Sequence, residues 1–202
     1  AQNAESANYP FCTIEPNIGG VNVPNSRLEE LERLVNPERV MPATVEIVDI
    51  AGLVKGASKG EGLGNKFLGN IRETDAIIHV VRCFDNDNIV HVDTTIDPIR
   101  DKETIDFELQ LKDLESVERK LVKVKKASRT GDKLALKELD ILTKVKIGLE
   151  NAISVRGIEF SEKEREEFIK PLQLLTDKPI LYVCNVDEAS AVSGNDYVNA
   201  VK

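Results

Sequence analysis

Three short runs of apolar residues stand out along the chain, and each predicts a β-strand. The runs are nearly continuous, rich in Val and Ile, and cover residues 45–50, 76–84 and 179–186. Such runs are typical of strands covered on both faces in a parallel sheet. Between the first two, Leu63, Phe67 and Ile71 recur every four positions, which predicts a helix with one apolar face. The order strand, helix, strand indicates an α/β fold.

The stretch from residue 105 to 170 follows a different pattern. It is densely charged, and its apolar residues recur every three or four positions in two blocks on either side of the turn-forming segment 129–133. These residues are Leu114, Val117, Leu121, Val124, Leu142, Val145, Leu149 and Ala152. The pattern predicts two helices in an antiparallel hairpin. Because a strand run follows it, we expect residues 105–170 to be an insertion in one α/β domain formed by residues 1–104 and 171–202. The hairpin's charges indicate a solvated helical face, with a dedicated binding surface as the alternative.

A further strand and helix are predicted before the first apolar run. Residues 19–24 predict a short strand, and Ser26 is a candidate cap for the helix that follows. In that helix Leu28, Leu31 and Leu34 recur every three positions.

Composition and charge narrow the classes of partner. The formal net charge is -8 and the pI is ≈ 5.0, which argues against coating of nucleic acid through bulk charge, so we expect no DNA partner. The lysine-rich residues 120–129 predict a solvated helix surface. The chain has no apolar stretch long enough to cross a membrane and no signal-peptide pattern in its first residues, so we expect a cytoplasmic protein with no membrane partner.

The number and spacing of the cysteines bear on disulfide bonding and zinc binding. Cys12, Cys83 and Cys184 are odd in number, far apart and form no CxxC motif. This indicates neither a disulfide framework nor a zinc site.

The glycine-rich segment 49–67 follows the first strand run. Ligands of parallel-sheet proteins bind at the carboxyl ends of the strands, where glycine lets backbone amides approach a phosphate. Asp49 and Gly52 form a D-x-x-G pattern. In nucleoside triphosphatases such an Asp holds Mg²⁺, usually through water, and the Gly amide faces the γ-phosphate. A glycine-rich connection without a ligand is the alternative interpretation.

Two further segments favour a nucleotide site. Thr13 lies in a proline-punctuated loop, a position suited to completing a magnesium shell. Asn185 and Glu188 follow the third strand run with an amide and a carboxylate three positions apart, a suitable spacing for gripping the edge of a base. Guanine-binding enzymes use N-K-x-D at such a strand end. Here Val186 and Glu188 stand in place of the Lys and the Asp, so that guanine clamp is altered twice.

Together these segments resemble the Obg-like ATPase family, in its YchF branch of the translation-factor-related P-loop proteins. The resemblance rests on ANYPFCTIEPNIGGV, PATVEIVDIAGLVKGASKGEGLGNKFLGNIRETDAIIHVVRCF, DNDNIVHVD, DPIRD and KPILYVCNVDE. It implies a P-loop NTPase fold of the G-domain type, with a mostly parallel sheet flanked by helices and an inserted coiled-coil hairpin. It also implies a Mg²⁺-dependent regulatory protein that binds and hydrolyses ATP and associates with ribosomes. That association leaves an RNA-facing tip as the alternative interpretation of residues 120–129.

The resemblance assigns roles to single residues. Thr13 and Asp49 match the magnesium-holding residues of the two switch segments, and Gly52 matches the glycine of the second switch. Leu53 stands where Ras-like enzymes carry a glutamine that positions the attacking water, so slow unassisted turnover is expected. The base-specificity motif, in an adenine-favouring form, is matched by Asn185, Val186 and Glu188.

The chain departs from the family pattern at the phosphate cradle. It contains no Gly-Lys dipeptide, so the P-loop sequence G-x-x-x-x-G-K-[ST] is missing. We therefore expect a fragment that lacks the P-loop and the C-terminal domain, and that alone binds ATP weakly and does not hydrolyse it. The alternative function is a non-catalytic interaction module, in which the hairpin docks a protein or ribosomal partner.

Overall fold

A computed structural model describes residues 17–50, 63–86, 89, 95–129 and 131–202 of the chain. The chain divides into two compact units, one of residues 13–51 and one that contains residues 52–202. The main helices and strands are β1 (Asn17–Asn22), α1 (Ser26–Val35), β2 (Thr44–Asp49), α2 (Leu63–Arg72), β3 (Ile77–Arg82), α3 (Pro98–Ser128), α4 (Lys133–Glu150), α5 (Glu162–Glu164), β4 (Ile180–Asn185) and α6 (Asp196–Val201). No helix in the described part of the chain is long and apolar enough to cross a membrane.

In the smaller unit, β1 and β2 form a two-stranded antiparallel sheet in which Asn17 pairs with Asp49. The prediction that the first apolar run lies covered in a parallel sheet is therefore wrong for the described residues. The run is a strand, but its partner runs the opposite way, and Val45 and Ile47 remain exposed. An apolar run specifies an extended chain without specifying the direction of its neighbour.

Helix α1 also differs in detail from its prediction. Asn25, rather than Ser26, caps it, and its side chain accepts a hydrogen bond of 3.1 Å from the amide of Arg27. The helix ends at Asn36 in the left-handed conformation, with φ of 44°. None of its residues is buried, so its leucine spacing produces no core contact within the described residues.

In the larger unit, β3 and β4 pair in parallel, and Ile77 lies opposite Ile180. This parallel pairing matches the interpretation of the second and third apolar runs. Helix α2 buries Phe67 and Ile71, as the four-residue spacing predicts. β3 and β4 are the strands that position the candidate site.

The two long helices α3 and α4 form the predicted hairpin between β3 and β4, since α3 ends at Ser128 and α4 begins at Lys133. The predicted apolar stripe forms its core, since Val117, Leu142 and Val145 are fully buried. Ala152 is the exception. Helix α4 ends at Glu150, and Ala152 lies beyond it, exposed and with a positive φ of 58°.

A buried polar cluster fixes the base of the hairpin. The Asp113 carboxylate, fully buried on α3, accepts hydrogen bonds of 2.8 and 2.7 Å from the amides of Leu175 and Thr176, and one of 2.7 Å from the Thr176 hydroxyl. The same hydroxyl oxygen accepts from the amide of Val155. Burial raises the pKa of Asp113, although these hydrogen bonds act in the opposite direction. The cluster ties α3 to the segment that leads directly into β4.

Candidate functional site

The parallel strands β3 and β4 end side by side, at Arg82 and Asn185. Their pairing extends one residue further, because the amide of Cys83 donates a hydrogen bond of 2.7 Å to the carbonyl of Asn185. The carboxyl edge of parallel strands is where α/β proteins bind their ligands. We therefore take this edge, with the turns that leave it, as the candidate nucleotide site.

The turn after β4 contains one residue with a structural role and three candidate binding residues. The Asp187 carboxylate accepts a hydrogen bond of 2.7 Å from the amide of Ser190, so this acid shapes the turn. Asn185 and Glu188 on either side are exposed, and Val186 is half-buried. The structure thus brings the three predicted base-specificity residues into one short turn. It leaves the polar groups of Asn185 and Glu188 accessible to a ligand.

Arg82 organises the loop after β3. Its guanidinium donates three hydrogen bonds of 3.1 Å, to the carbonyls of Phe84, Asn86 and Ile89. The same group lies 4.7 Å from the centre of the Phe84 ring. One side chain therefore gathers several residues of this loop next to the strand end.

Helix α6 is attached to the same loop at two points. The Asn195 side chain caps α6 by accepting from the amide of Val198, and its amide group donates a hydrogen bond of 2.8 Å to the carbonyl of Cys83. The Tyr197 hydroxyl donates to the Asp85 carboxylate at 3.0 Å, and this bond raises the pKa of the tyrosine. These contacts join the chain that leaves β4 to the chain that leaves β3.

Two cysteines lie beneath this edge, and neither forms a disulfide. Cys83 is fully buried and Cys184 is half-buried. Burial, and to a smaller extent a hydrogen bond with Cys184, raises the pKa of the Cys83 thiol to about 12. Because only the thiolate is strongly nucleophilic, Cys83 acts as a small core residue.

A second polar group lies where α3 crosses the strands. The Tyr182 hydroxyl on β4 donates to the Asp106 carboxylate at 3.1 Å, and Lys102 pairs with that carboxylate at 3.0 Å. The His79 ring lies 5.5 Å from the Tyr182 ring, and burial lowers the pKa of the histidine. A neutral, packed imidazole fits a structural role better than that of a catalytic base.

The remaining predicted site residues are only partly described. Asp49 is the last residue of β2, exposed, in the smaller unit. Thr13, Gly52 and Leu53 lie outside the described residues. Within the described segments, no three His, Cys, Asp or Glu side chains are grouped so as to hold a metal ion.

Comparison with known proteins identifies the family of this chain. Residues 1–113 match the model of the family described as 50S ribosome-binding GTPase. A ribosome-binding ATPase YchF from Bacillus subtilis is 54% identical over 201 residues, and one from Haemophilus ducreyi is 57% identical over 198 residues. The chain belongs to this GTPase family, in its YchF branch. Both alignments cover 98% of this chain, but only 55% and 54% of the two relatives, so the chain spans about half of their length.

The fold agrees with a solved YchF structure. The structure of the Schizosaccharomyces pombe YchF GTPase is 40% identical and superposes with a TM-score of 0.77, covering 96% of this chain and 53% of that one. The resemblance to YchF proteins, and the P-loop GTPase type of the fold, are thereby confirmed.

Several residues that build the site escaped the sequence analysis. Arg82 had a detectable signal, since it is a charged residue inside an otherwise apolar strand run. Asn195 also had one, because Asn is a favoured N-cap residue and here it follows a glycine and precedes the residues that form α6. Asp113 had none, because it is one of many charged residues distributed along a long helix.

Proposed function

We propose that this protein is a Mg²⁺-dependent ATPase that acts on the ribosome. The observation that carries the proposal is the identity of 54% and 57% to ribosome-binding ATPases over nearly the whole chain. The turn after β4 supports it, because Asn185 and Glu188 are exposed at the carboxyl edge of a parallel strand pair.

At the base, we assign contacts to Asn185, Val186 and Glu188. Asn185 offers an amide with both donor and acceptor atoms, and Val186 offers an apolar surface. Glu188 is one methylene longer than the Asp of the guanine-specific motif, and Val186 lacks a Lys stem that would lie over a guanine. ATP is therefore expected to bind at least as well as GTP.

At the phosphates, we assign Thr13 and Asp49 to Mg²⁺ and the Gly52 amide to the γ-phosphate. The exposed Asp49 carboxylate fits this role, because Mg²⁺ prefers oxygen ligands and keeps several of its waters. Bound there, Mg²⁺ would neutralise charge on the phosphate oxygens. Asp49 would hold it through water, and Thr13 would complete its shell.

The proposed reaction is in-line attack of water on the γ-phosphate with ADP as the leaving group. Leu53 has no polar atom with which to orient that water, although it stands where related enzymes use a glutamine. Another group of the protein or of a partner must supply this orientation. Turnover without the ribosome is therefore expected to be slow.

Nucleotide competition tests the proposal. An extended protein that carries the family's G-x-x-x-x-G-K-[ST] segment ahead of Ala1 should bind ATP at least as tightly as GTP, and Glu188→Ala should change the ratio of the two affinities. Glu166→Ala, which removes an exposed glutamate on another surface, is the matched control. A preference for GTP above about tenfold, or 1.4 kcal/mol, would contradict the adenine assignment.

The 202-residue chain provides a second test. It lacks the Gly-Lys dipeptide, and each charge-assisted bond to a phosphate contributes about 1.5–3 kcal/mol. Calorimetry on this chain alone should therefore give an ATP dissociation constant near ~1 mM or weaker, with no measurable hydrolysis. Micromolar binding would show that the phosphates are held elsewhere, for example by the glycines of residues 56–65.

A non-catalytic interaction module is the second candidate function. The core that α3 and α4 form with each other and with residues just after α4 favours it, because such a hairpin can present a surface without nucleotide chemistry. If the extended protein bound ribosomes but no ATP, the module interpretation would replace the ATPase.

A further inference from the structure

The turn after β4, which runs from residue 185 to residue 194, is fastened at both ends to the backbone of Cys83. At its start, the Cys83 amide donates a hydrogen bond of 2.7 Å to the carbonyl of Asn185. Just beyond its end, the side-chain amide of Asn195 donates one of 2.8 Å to the carbonyl of Cys83. Because Cys83 is fully buried directly after β3, both bonds hold the turn against a well-packed part of the sheet.

Hydrogen bonds within the turn set its shape but not its position. The Ser190 amide donates to the Asp187 carboxylate at 2.7 Å, and the Gly194 amide donates to the carbonyl of Ser190 at 2.8 Å. Gly194 then redirects the chain with a positive φ of 73°, a conformation that favours glycine. This brings Asn195 back to the strand end, where the bonds to Cys83 join the preformed turn to β3.

Helix capping accounts for only half of the Asn195 side chain. Its oxygen accepts a hydrogen bond of 3.0 Å from the amide of Val198, and Asp or Ser caps a helix about equally well. Its nitrogen makes the bond to the Cys83 carbonyl, and neither Asp nor Ser carries that amide group. The bond to Cys83 therefore explains why an Asn, rather than another good cap, suits this position.

We propose that Asn195 is a positioning residue for recognition of the nucleotide base. It holds the turn after β4 so that the exposed Asn185 and Glu188 already lie at the carboxyl edge of the strands before the nucleotide binds. Holding a loop in its bound conformation increases affinity, because less conformational entropy is lost on binding. This inference rests on the proposed function and deepens it, since it adds a residue that acts on the base through the turn and not by contact.

Two substitutions isolate the bond to Cys83. Asn195→Ser and Asn195→Asp both keep an oxygen that can cap α6, and both lose the amide donor. The neutral Ser variant separates this loss from any effect of added negative charge on the nucleotide. The matched controls are Asn25→Ser and Asn25→Asp, because Asn25 caps α1 through a bond of 3.1 Å from the amide of Arg27. All variants are made in the extended protein with the P-loop segment, and thermal unfolding checks that each is folded.

Both Asn195 variants should bind ATP about five- to tenfold more weakly, the size expected for loss of a part-buried hydrogen bond. Their affinity for Mg²⁺-tripolyphosphate, which has no base, should stay within about twofold of that of the unsubstituted protein, as measured by competition with ATP. KM for ATP should rise while kcat is unchanged, because the base contacts are equally strong in the ground state and the transition state. The Asn25 controls should change none of these quantities.

Combination with Glu188→Ala tests whether Asn195 acts through the turn. In that background, the Asn195 substitutions should weaken ATP binding by less than about threefold, because the contact that they misplace is already absent. Unchanged ATP affinity, an equal loss of ATP and tripolyphosphate affinity, or full additivity with Glu188→Ala would each overturn the proposal. Failure of the proposed function would appear separately, as absent ATP binding by the unsubstituted extended protein, and would remove this inference with it.

Discussion

The α3–α4 hairpin and the β1–α1–β2 unit have similar apolar patterns but opposite burial. In α4, Leu142 and Val145 are fully buried against α3 and the segments that follow. In α1, Leu31 and Leu34 recur at a comparable spacing, yet they are 55% and 80% exposed. Periodicity places apolar side chains on one face of a helix. Burial requires a second apolar face within reach, and the hairpin supplies one from its own sequence.

The largest expected effect comes from removing the hairpin's base. Deleting residues 105–170 takes away Asp113 and leaves the buried amides of Leu175 and Thr176 without their acceptor. We expect the loss of cooperative thermal unfolding, because the segment that leads into β4 loses these hydrogen bonds together with the apolar core against which it packs. Replacing only residues 120–139 with a short Gly-containing turn keeps this base and should preserve a cooperative transition. Calorimetry that finds equal cooperativity in the two deletions would show that the base is dispensable.

A single truncation in each region gives the next largest effect. Leu142→Ala should lower the free energy of unfolding by about 2–5 kcal/mol, since it leaves a cavity in the hairpin core. Leu34→Ala, at a side chain that is 80% exposed, should change it by less than about 0.5 kcal/mol. Urea denaturation measures both. Equal losses in the free energy of unfolding would show that α1 and the hairpin are equally well packed in solution, which contradicts the difference in burial.

Asp113→Asn tests the polar part of the hairpin's base. It should lower the free energy of unfolding by about 1–3 kcal/mol near pH 7, because an amide cannot accept all the hydrogen bonds that the carboxylate accepts. Burial raises the pKa of Asp113 above 3.8, so the natural protein gains stability as the pH falls through the raised value towards 3.8. The difference between the two proteins should therefore widen as the pH is lowered towards 3.8. A narrowing difference would show that the pKa is lowered instead.

The smallest effect is expected from the hairpin's surface. Lys120 and Glu138 form an ion pair of 3.0 Å between the helices, with side chains that are 42% and 25% exposed. Glu138→Gln should cost less than about 1 kcal/mol, because water and side-chain entropy offset most of the attraction. The cost should shrink further in about 0.5 M salt. A larger loss in the free energy of unfolding that does not depend on salt would contradict this expectation and show that the ion pair contributes strongly to hairpin stability.

The predictable parts of the fold are those set by local spacing. The apolar stripe of the hairpin and the buried face of α2 follow from side chains that share one side of a helix. Ala152 continued the spacing but not the helix, because it adopts a positive φ of 58° and the amide of Ile153 turns back to the carbonyl of Gly148. Spacing alone carries no signal for where a helix ends.

The less predictable parts depend on residues far apart in the chain. Asp113 looked like one more solvated charge, since its partners Leu175 and Thr176 lie more than sixty positions later. The antiparallel partner of β2 was missed for the same reason. At the candidate site, the strand end at Asn185 was predictable, because an apolar run ends there in polar residues. The roles of Arg82 and Asn195 were not predicted, because they depend on loops that meet only in the folded protein.

The position of the hairpin between two paired strands has a consequence for the order of folding. Arg82 and Ile180 are separated by 97 residues, and closing a flexible loop of that length costs about 4 kcal/mol of chain entropy. Contacts between α3 and α4 are closer in sequence and form sooner in a search limited by contact order. Once the hairpin and the Asp113 contacts have formed, the start of β4 is held near α3. Pairing β4 with β3 then costs less chain entropy. The helices would then act as an internal template for the parallel pairing of β3 and β4.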